Sequence, residues 1–451
     1  MKNEINPGIF KAYDIRGIYG DDLNKETAYR IGRALVTYTG AKKVAVGVDM
    51  RESSPELQEG LVDGLTDQGA DVVKIGLATT PMLYFASWQL DVDAAVNITA
   101  SHNPAEYNGF KLTKKAAVPI GEGDGMEEIR NMAIKNEFKA AGAEGKVTEN
   151  KELKNKYLDY IAGFFKSGMG KKKIVIDFAN AMGIIDKAVY EKFPSDLEAA
   201  YMYDDFDGSF PNHEANPLKT ETLSALQAKV LEEKADLGIA YDGDADRIGF
   251  VDEKGEAVPM DYMIAILAKE VLKKNPVSLV LMDLRSSNTV GEVIRGAGGK
   301  VNYCRVGHSL IKAQMRREGA VFAGELSGHY FFEENSKAEM PTLAALTLIN
   351  LLNSTGKKMS ELTKELKRYH HSGEINSDVA DKKAVMEKLK EKYKDGKLDT
   401  LDGIRIDYPD WWFNVRASNT EPKLRLNLEA KTKEMMEEKR EEVLAIINSK
   451  V

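Results

Sequence analysis

The sequence predicts an α/β protein: three related α/β domains with mixed sheets, followed by a smaller C-terminal α+β domain. A chain of 451 residues is long enough for about three domains or more. Three of its stretches share one layout of strand, polar loop, helix, Gly or Pro turn, and strand. Past Lys367 that layout gives way to charged helical stretches around shorter, strand-like runs.

The first unit opens with V-A-V-G-V-D (44–49), continues through a helical pattern over 57–68, and returns as G-A-D-V-V-K-I-G (69–76). The second runs from I-V-I-D-F (174–178) through 184–192 to L-E-A-A-Y-M-Y (197–203), and the third from S-L-V-L-M-D-L (278–284) through 289–295 to 298–307. Short continuous apolar runs joined by amphipathic segments mark βαβ units whose strands are buried on both faces. Such crossovers link parallel strands with a right-handed turn. The Gly-rich polar stretch 141–150, ahead of a helical pattern over 151–165, reads as a first linker. The turn 252–255 precedes a helical pattern over 262–274. These signals divide the chain into 1–150, 151–254, 255–368 and 369–451. In the last unit, helical stretches 382–395 and 431–447 flank I-R-I-D-Y (404–408), W-F-N-V-R (412–416) and L-R-L-N-L-E (424–429), an antiparallel α+β pattern.

Composition excludes several classes. Sixty-three Lys+Arg against 71 Asp+Glu give a formal charge of −8 with no basic tail, which argues against an electrostatic nucleic-acid binder. A hydrophobic share of 43% is too high for a disordered chain. Cys304 is the single cysteine, so neither an internal disulfide nor a Cys-rich zinc site is available. The first ten residues lack the apolar core of a secretory signal, and no apolar run approaches a membrane span. A cytoplasmic protein is expected.

The sharpest local signal is D-G-D-A-D-R (242–247). Carboxylates at Asp242, Asp244 and Asp246 repel one another unless a cation compensates or they are protonated or well solvated. In an extended segment alternate residues face one way, so all three could meet on one hard cation, Mg²⁺ or Ca²⁺. An acidic surface turn without a ligand is the plainer alternative. An EF-hand loop is excluded: Arg247 stands where that loop needs Gly, and the flanks 235–241 and 248–251 read as strands. Arg247 beside the triplet favours a phosphorylated ligand. Next is N-I-T-A-S-H-N-P (97–104), which places Ser101 in a loop after an apolar strand, either as a nucleophile or as a turn or cap residue. His102 could be catalytic or a loop hydrogen-bonder, and Lys111 in Y-N-G-F-K (107–111) could neutralise phosphate or lie on the surface. G-E-L-S-G-H-Y (324–330) mixes a carboxylate, a hydroxyl and an imidazole in a form suited to a polyol. R-A-S-N-T-E-P (416–422) offers an anion cradle or an ordinary turn.

Together with F-K-A-Y-D-I-R-G (10–17) and G-H-S-L-I-K (307–312), these segments resemble, in order and spacing, the α-D-phosphohexomutase superfamily and its bacterial phosphomannomutase/phosphoglucomutase branch. The resemblance covers essentially the whole chain. It implies four domains around a central cleft and a reversible hexose 1-phosphate/6-phosphate interconversion through a phosphoserine and a hexose 1,6-bisphosphate, which would also serve as activator. It implies that Ser101 carries the phosphoryl group and that Asp242, Asp244 and Asp246 hold Mg²⁺ with the phosphoserine as a further ligand. Arg16, His102, Lys111 and Arg247 would surround the reacting phosphoryl group. Glu325 and Ser327 would read sugar hydroxyls, His308 and His329 would line the cleft as candidates for proton transfer, and Arg416, Ser418, Asn419 and Thr420 would grip the other phosphate. Expected partners are phosphohexose substrates, with no nucleic acid and no membrane, in a monomer or homodimer.

Departures from the family pattern are Ala100 and Ala245 where Gly is common, Arg285 in place of a cleft Lys, and Val306 in place of Thr. The stretch 335–341 lacks the paired Asp usual after the sugar loop. Leu326 stands where the phosphoglucosamine mutase branch typically has Gln. That branch, a Mg²⁺-dependent sugar-phosphate phosphatase and a non-catalytic sugar-phosphate binder are the rival readings.

Overall fold

The computed structural model describes residues 4–417 and 423–449. Its strands form four sheets. The first has the order Ile15–Ile18, Tyr107–Lys114, Ala94–Ile98, Lys43–Val48, Asp71–Leu77, Val147–Glu149, with Val118–Pro119 added beside Tyr107–Lys114. Its middle is parallel, while Tyr107–Lys114 runs antiparallel to both neighbours on the path. The second has the order Ile248–Asp252, Leu237–Tyr241, Lys172–Asp177, Leu197–Met202, and only its first pair is antiparallel. The third has the order Lys300–Cys304, Leu279–Asp283, Phe322–Gly324, Tyr330–Phe332, Ala338–Glu339, parallel on one side and antiparallel on the other. The fourth, built around Trp411–Ala417 and Lys423–Ala430, is antiparallel throughout.

Mixed sheets arise because short loops turn each buried strand straight back. Asp242–Arg247 joins Leu237–Tyr241 to antiparallel Ile248–Asp252, and Glu325–His329 joins Phe322–Gly324 to antiparallel Tyr330–Phe332. Both loops therefore leave the carboxyl end of a buried strand, where α/β sheets present their ligand sites. The helices follow the sequence pattern closely. Ser54–Asp67 starts at a Pro in its first turn, whose missing N–H costs nothing there. The helical pattern over 184–192 instead forms a 3₁₀ turn, Met182–Asp186, and one short helix, Lys187–Tyr190. The Gly-rich stretch read as a linker is partly woven into the first sheet: Val147–Glu149 pairs parallel with Asp71–Leu77.

Packing divides the molecule unevenly. One continuous apolar core joins the inner face of the first sheet (Ala45, Ala95) and the helix Thr80–Gln89 (Phe85) to the second unit (Ile174, Tyr241) and the third (Leu267, Phe322, Leu348). A second core fills the other face of the first sheet, under helices Lys25–Thr39 and Ser54–Asp67. The C-terminal sheet has its own, with Phe413, Leu426 and Val443, and among the described residues no apolar cluster joins it to the rest. Its seam with the third unit is made of polar bonds: Arg405 donates to the Leu284 carbonyl and to Asn288, and the Asn288 N–H donates to Glu429 at 2.9 Å. No helix among the described residues is long and apolar enough to cross a membrane.

One titratable group lies inside the shared core. Asp186 accepts from the Thr342 hydroxyl of the third unit and from Tyr157 at 3.5 Å, while its Oδ1 has no partner among the described residues. Burial pushes its carboxyl from 3.8 to about 7, against the pull of those hydroxyls. The folded chain therefore binds more protons than the unfolded one between these values, so stability falls as pH rises through that window. Asp186→Asn is expected to stabilise the protein by about 2 kcal/mol at pH 8 and to do little at pH 4, read as the denaturation midpoint against pH.

Candidate active site

Ser101 lies in the turn after Ala94–Ile98, nearly fully buried, with φ +52°. A non-glycine residue in the left-handed region costs on the order of 1–3 kcal/mol and persists only where its surroundings impose it. The surroundings here are Arg51 and the aspartate loop. The Arg51 guanidinium, itself buried, donates to the carbonyls of Ser101 (2.9 Å), Asn103 (2.6 Å), Pro104 (2.6 Å) and Tyr107 (2.9 Å), and Asp49 holds it at 3.1 Å. From the other side Gly243 presses on Ser101 so closely that a β-carbon there would collide with the Ser101 carbonyl.

The Ser101 hydroxyl donates to Asp242 Oδ2 at 2.8 Å and lies 3.2 Å from His102 Nδ1. Asp242, Asp244 and Asp246 are fully buried, and one ligand oxygen from each lies within 4.8 Å of the others. They converge through a turn, with Ala245 at φ +58°, and not through the side-to-side alternation of an extended segment. Asp242 Oδ1 accepts the N–H groups of Asp246 and Arg247, and Thr80 donates to Asp244 Oδ2 at 2.6 Å. Asp244 Oδ1 has no hydrogen-bond partner among the described residues, and Asp246 Oδ1 lies 3.2 Å from His329 Nε2. Burial, then the charges of Asp246 and Asp244, push the Asp242 carboxyl upward. Buried carboxylates with a spare oxygen and mutual repulsion fit a hard divalent cation. Lys111 Nζ supplies part of the compensation, 2.7 Å from Asp244 and in contact with Asp246, and these carboxylates hold its ammonium charged against burial.

Around this pair of loops stand the other basic and imidazole groups. Arg16 is held by Asp14 at 2.8 Å and donates to the Ala100 carbonyl and to Asn103. Arg247 Nε lies 3.8 Å from Asp242 and 3.3 Å from His329 Nε2. Burial, with Arg247 and Arg16 nearby, keeps His102 neutral, its pKa well below the ordinary 6.5. His329 is the opposite case: burial works against its cation, but Asp246 at 3.2 Å and Glu325 at 2.8 Å outweigh it and raise the pKa to about 9. Glu325 also accepts from Ser327 at 2.5 Å and from the Gly307 N–H at 2.9 Å. His308 packs its ring 5.9 Å from that of His329; burial and Lys312 lower its pKa, and its Nε2 has no partner among the described residues. Arg16, His102, Arg247 and His308 all line one cavity of about 900 Å³, together with Tyr13 and Arg305.

Arg416 sits at the end of Trp411–Ala417, opposite Arg425 across the strand pair. Ser418, Asn419 and Thr420 lie outside the described residues. Val306 contributes only backbone at the cleft, its carbonyl accepting from Tyr13 and its N–H donating to Asp402, so a Val in place of Thr leaves those bonds intact.

Profiles of the phosphoglucomutase/phosphomannomutase family match the chain in sequence: its α/β/α domain I over residues 7–140, domain II over 155–255, domain III over 259–369 and C-terminal domain over 374–446. The chain belongs to the phosphoglucomutase/phosphomannomutase family. It is thereby a phosphohexomutase, an enzyme of the isomerase class. A phosphomannomutase of Methanocaldococcus jannaschii is 42% identical over 443 residues, 97% of each chain. A phosphomannomutase/phosphoglucomutase of Pseudomonas aeruginosa is 37% identical over 95% of this chain and 93% of that one. The crystal structure of a family protein from Burkholderia thailandensis superposes with a TM-score of 0.89 at 31% identity over 98% of both chains.

Several groups that shape this phosphohexomutase's site escaped the sequence reading. Arg51 clamps the serine loop from about fifty positions away, and only the charged pair Asp49/Arg51 after an apolar strand hinted at it. Lys312 is wholly buried among Glu339 (3.0 Å), the Tyr84 hydroxyl (2.7 Å) and His308 (3.2 Å), where burial lowers its pKa to about 8. A Lys inside G-H-S-L-I-K carries no sign of that depth.

Two substitutions in one motif should differ sharply. Gly243→Ala is expected to force the serine and aspartate loops apart and to cost about 10²-fold in turnover, since misplacement by about an ångström has that effect. Ala245→Gly relieves a left-handed alanine at the expense of a freer unfolded chain, and should change stability by less than about 1 kcal/mol. Steady-state kinetics and thermal unfolding of both variants check this.

Proposed function

We propose that the chain interconverts hexose 1-phosphates and hexose 6-phosphates of mannose and glucose, through a phosphorylated Ser101 and a hexose 1,6-bisphosphate that also reactivates dephosphorylated enzyme. The observation that carries this reading is the Ser101 hydroxyl seated 2.8 Å from Asp242 at the edge of a buried triple-aspartate cluster, with Lys111, Arg16 and Arg247 around it. Phosphoryl transfer is mainly positioning and stabilisation of spread negative charge, and that is what these groups can offer.

Asp242, Asp244, Asp246 and the Ser101 side chain would hold Mg²⁺, which when bound supplies neutralisation of the phosphoryl oxygens. Arg16, Lys111 and Arg247 draw the phosphoryl group in, and the neutral His102 lets it approach Ser101 without a competing charge. As the P–Oγ bond breaks, a P–O bond forms to the free sugar hydroxyl. The proton lost by that hydroxyl goes to the neutral His308, whose Nε2 is available, and Oγ, which leaves with the electron pair of the broken bond, takes up a proton from solvent. His329, held as a cation between Glu325 and Asp246, orients Glu325 toward the sugar with Ser327. Arg416 and its loop grip the phosphate that does not react. Reorientation of the bisphosphate then returns its other phosphate to Ser101.

Ser101→Ala is expected to lose turnover by at least about 10³-fold and to lose the mass of one phosphoryl group from the intact protein. Chelation of divalent cations should abolish turnover of the parent enzyme and leave its fold intact, and Mg²⁺ should restore it. ³¹P NMR with Mg²⁺ and a trace of glucose 1,6-bisphosphate should show mannose 1-phosphate and glucose 1-phosphate becoming 6-phosphates. Release of inorganic phosphate would mark a phosphatase, and preference for glucosamine 1-phosphate would mark the neighbouring branch.

A further inference from the structure

Arg416 and Arg425 are directly opposed on adjacent antiparallel strands. Like charges in that position repel, and the pair needs an anion. The anion present is not a ligand but Glu374, at the junction where the third unit passes into the C-terminal sheet. Its Oε1 lies 3.2 Å from Arg425 and its Oε2 3.4 Å from Arg416. The same Oε2 lies 3.4 Å from Arg285 of the third unit. Arg285 is fixed by Asp283, which takes two of its side-chain nitrogens at 2.9 and 2.5 Å, and Asp283 also accepts the N–H of Leu326 in the sugar loop at 3.1 Å. A run of charges thus connects the sugar loop to the phosphate grip, and one oxygen of Glu374 is the bridge across the seam.

The geometry makes this bridge displaceable. Its contacts, at 3.2 to 3.4 Å, are longer than the roughly 2.7–2.9 Å of well-seated guanidinium–carboxylate bonds. A phosphate carrying about two negative charges at neutral pH would compete for the same guanidinium groups and repel Glu374. Arg416 Nε has no hydrogen-bond partner among the described residues and is a donor in reserve.

We propose that Glu374 is a positioning residue that stands in for the non-reacting phosphate: it holds Arg416 to Arg285 while the site is empty, yields to the substrate phosphate, and returns as that phosphate leaves. This rests on the reading of Arg416 as the phosphate grip. It also gives Arg285 a role that Lys could not fill as well, because a planar guanidinium can hold Asp283 with one edge and meet Glu374 with the other.

The test is Glu374→Gln in the full-length phosphorylated enzyme, beside Glu374→Asp. Removing the competing charge should tighten binding of glucose 6-phosphate, measured by calorimetry, by about two- to five-fold, the range expected for a partly exposed ion pair. KM and kcat should fall together as release slows, and ³¹P NMR should show less glucose 1,6-bisphosphate escaping per turnover. Glu374→Asp, which keeps the charge, should restore release. Binding that is unchanged or weaker in Glu374→Gln, or KM rising with kcat intact, overturns the proposal. Tighter binding in the variant together with a parent enzyme that turns over no hexose phosphate would instead overturn the mutase reading.

Discussion

Three carboxylates packed into a buried turn repel one another, and much of the site is arranged around that repulsion. Lys111 reaches across from the first sheet to Asp244 and Asp246, His329 from the third unit to Asp246, and Thr80 and the serine loop close the remaining side. Each of these groups comes from a different stretch of chain, so the aspartate turn ties three units to one point. A cluster left short of positive charge in a low-dielectric site is costly. The same shortage fits it to a cation and, through the surrounding arginines, would suit it to a phosphorylated ligand.

The two histidines of the cleft illustrate how environment sorts identical side chains. His329 lies between two carboxylates and stays protonated; His308 lies beside Lys312 and stays neutral. Neither state follows from sequence position. The difference would suit one ring to orienting Glu325 and the other to accepting a proton, within one stacked pair.

Much of the architecture was legible because it depends on local chemistry. Continuous apolar runs such as 174–178 and 279–283 can only be buried strands, and the change past Lys367 marked a domain of another kind. The aspartate turn and the serine loop were legible because their functional atoms are close in sequence. The groups that could not be read act through tertiary approach. Arg51 is an ordinary arginine until the fold lays four carbonyls of the serine loop around it, Asp186 is an ordinary acid until Thr342 and Tyr157 enclose it, and Glu374 is a surface glutamate until three arginines surround it. The short helix at Lys187–Tyr190 was overestimated for the same reason, since its apolar residues pack as a 3₁₀ turn in the shared core.

The C-terminal sheet keeps its apolar residues to itself and meets the third unit through hydrogen bonds and charges. Parting that seam wets groups that water solvates well and uncovers little hydrocarbon. Its heat-capacity change should therefore be small, because that quantity follows apolar exposure. Temperature would then move the position of the domain only weakly. An enzyme built in this way would hold its last domain in place through polar bonds that heat alone loosens little.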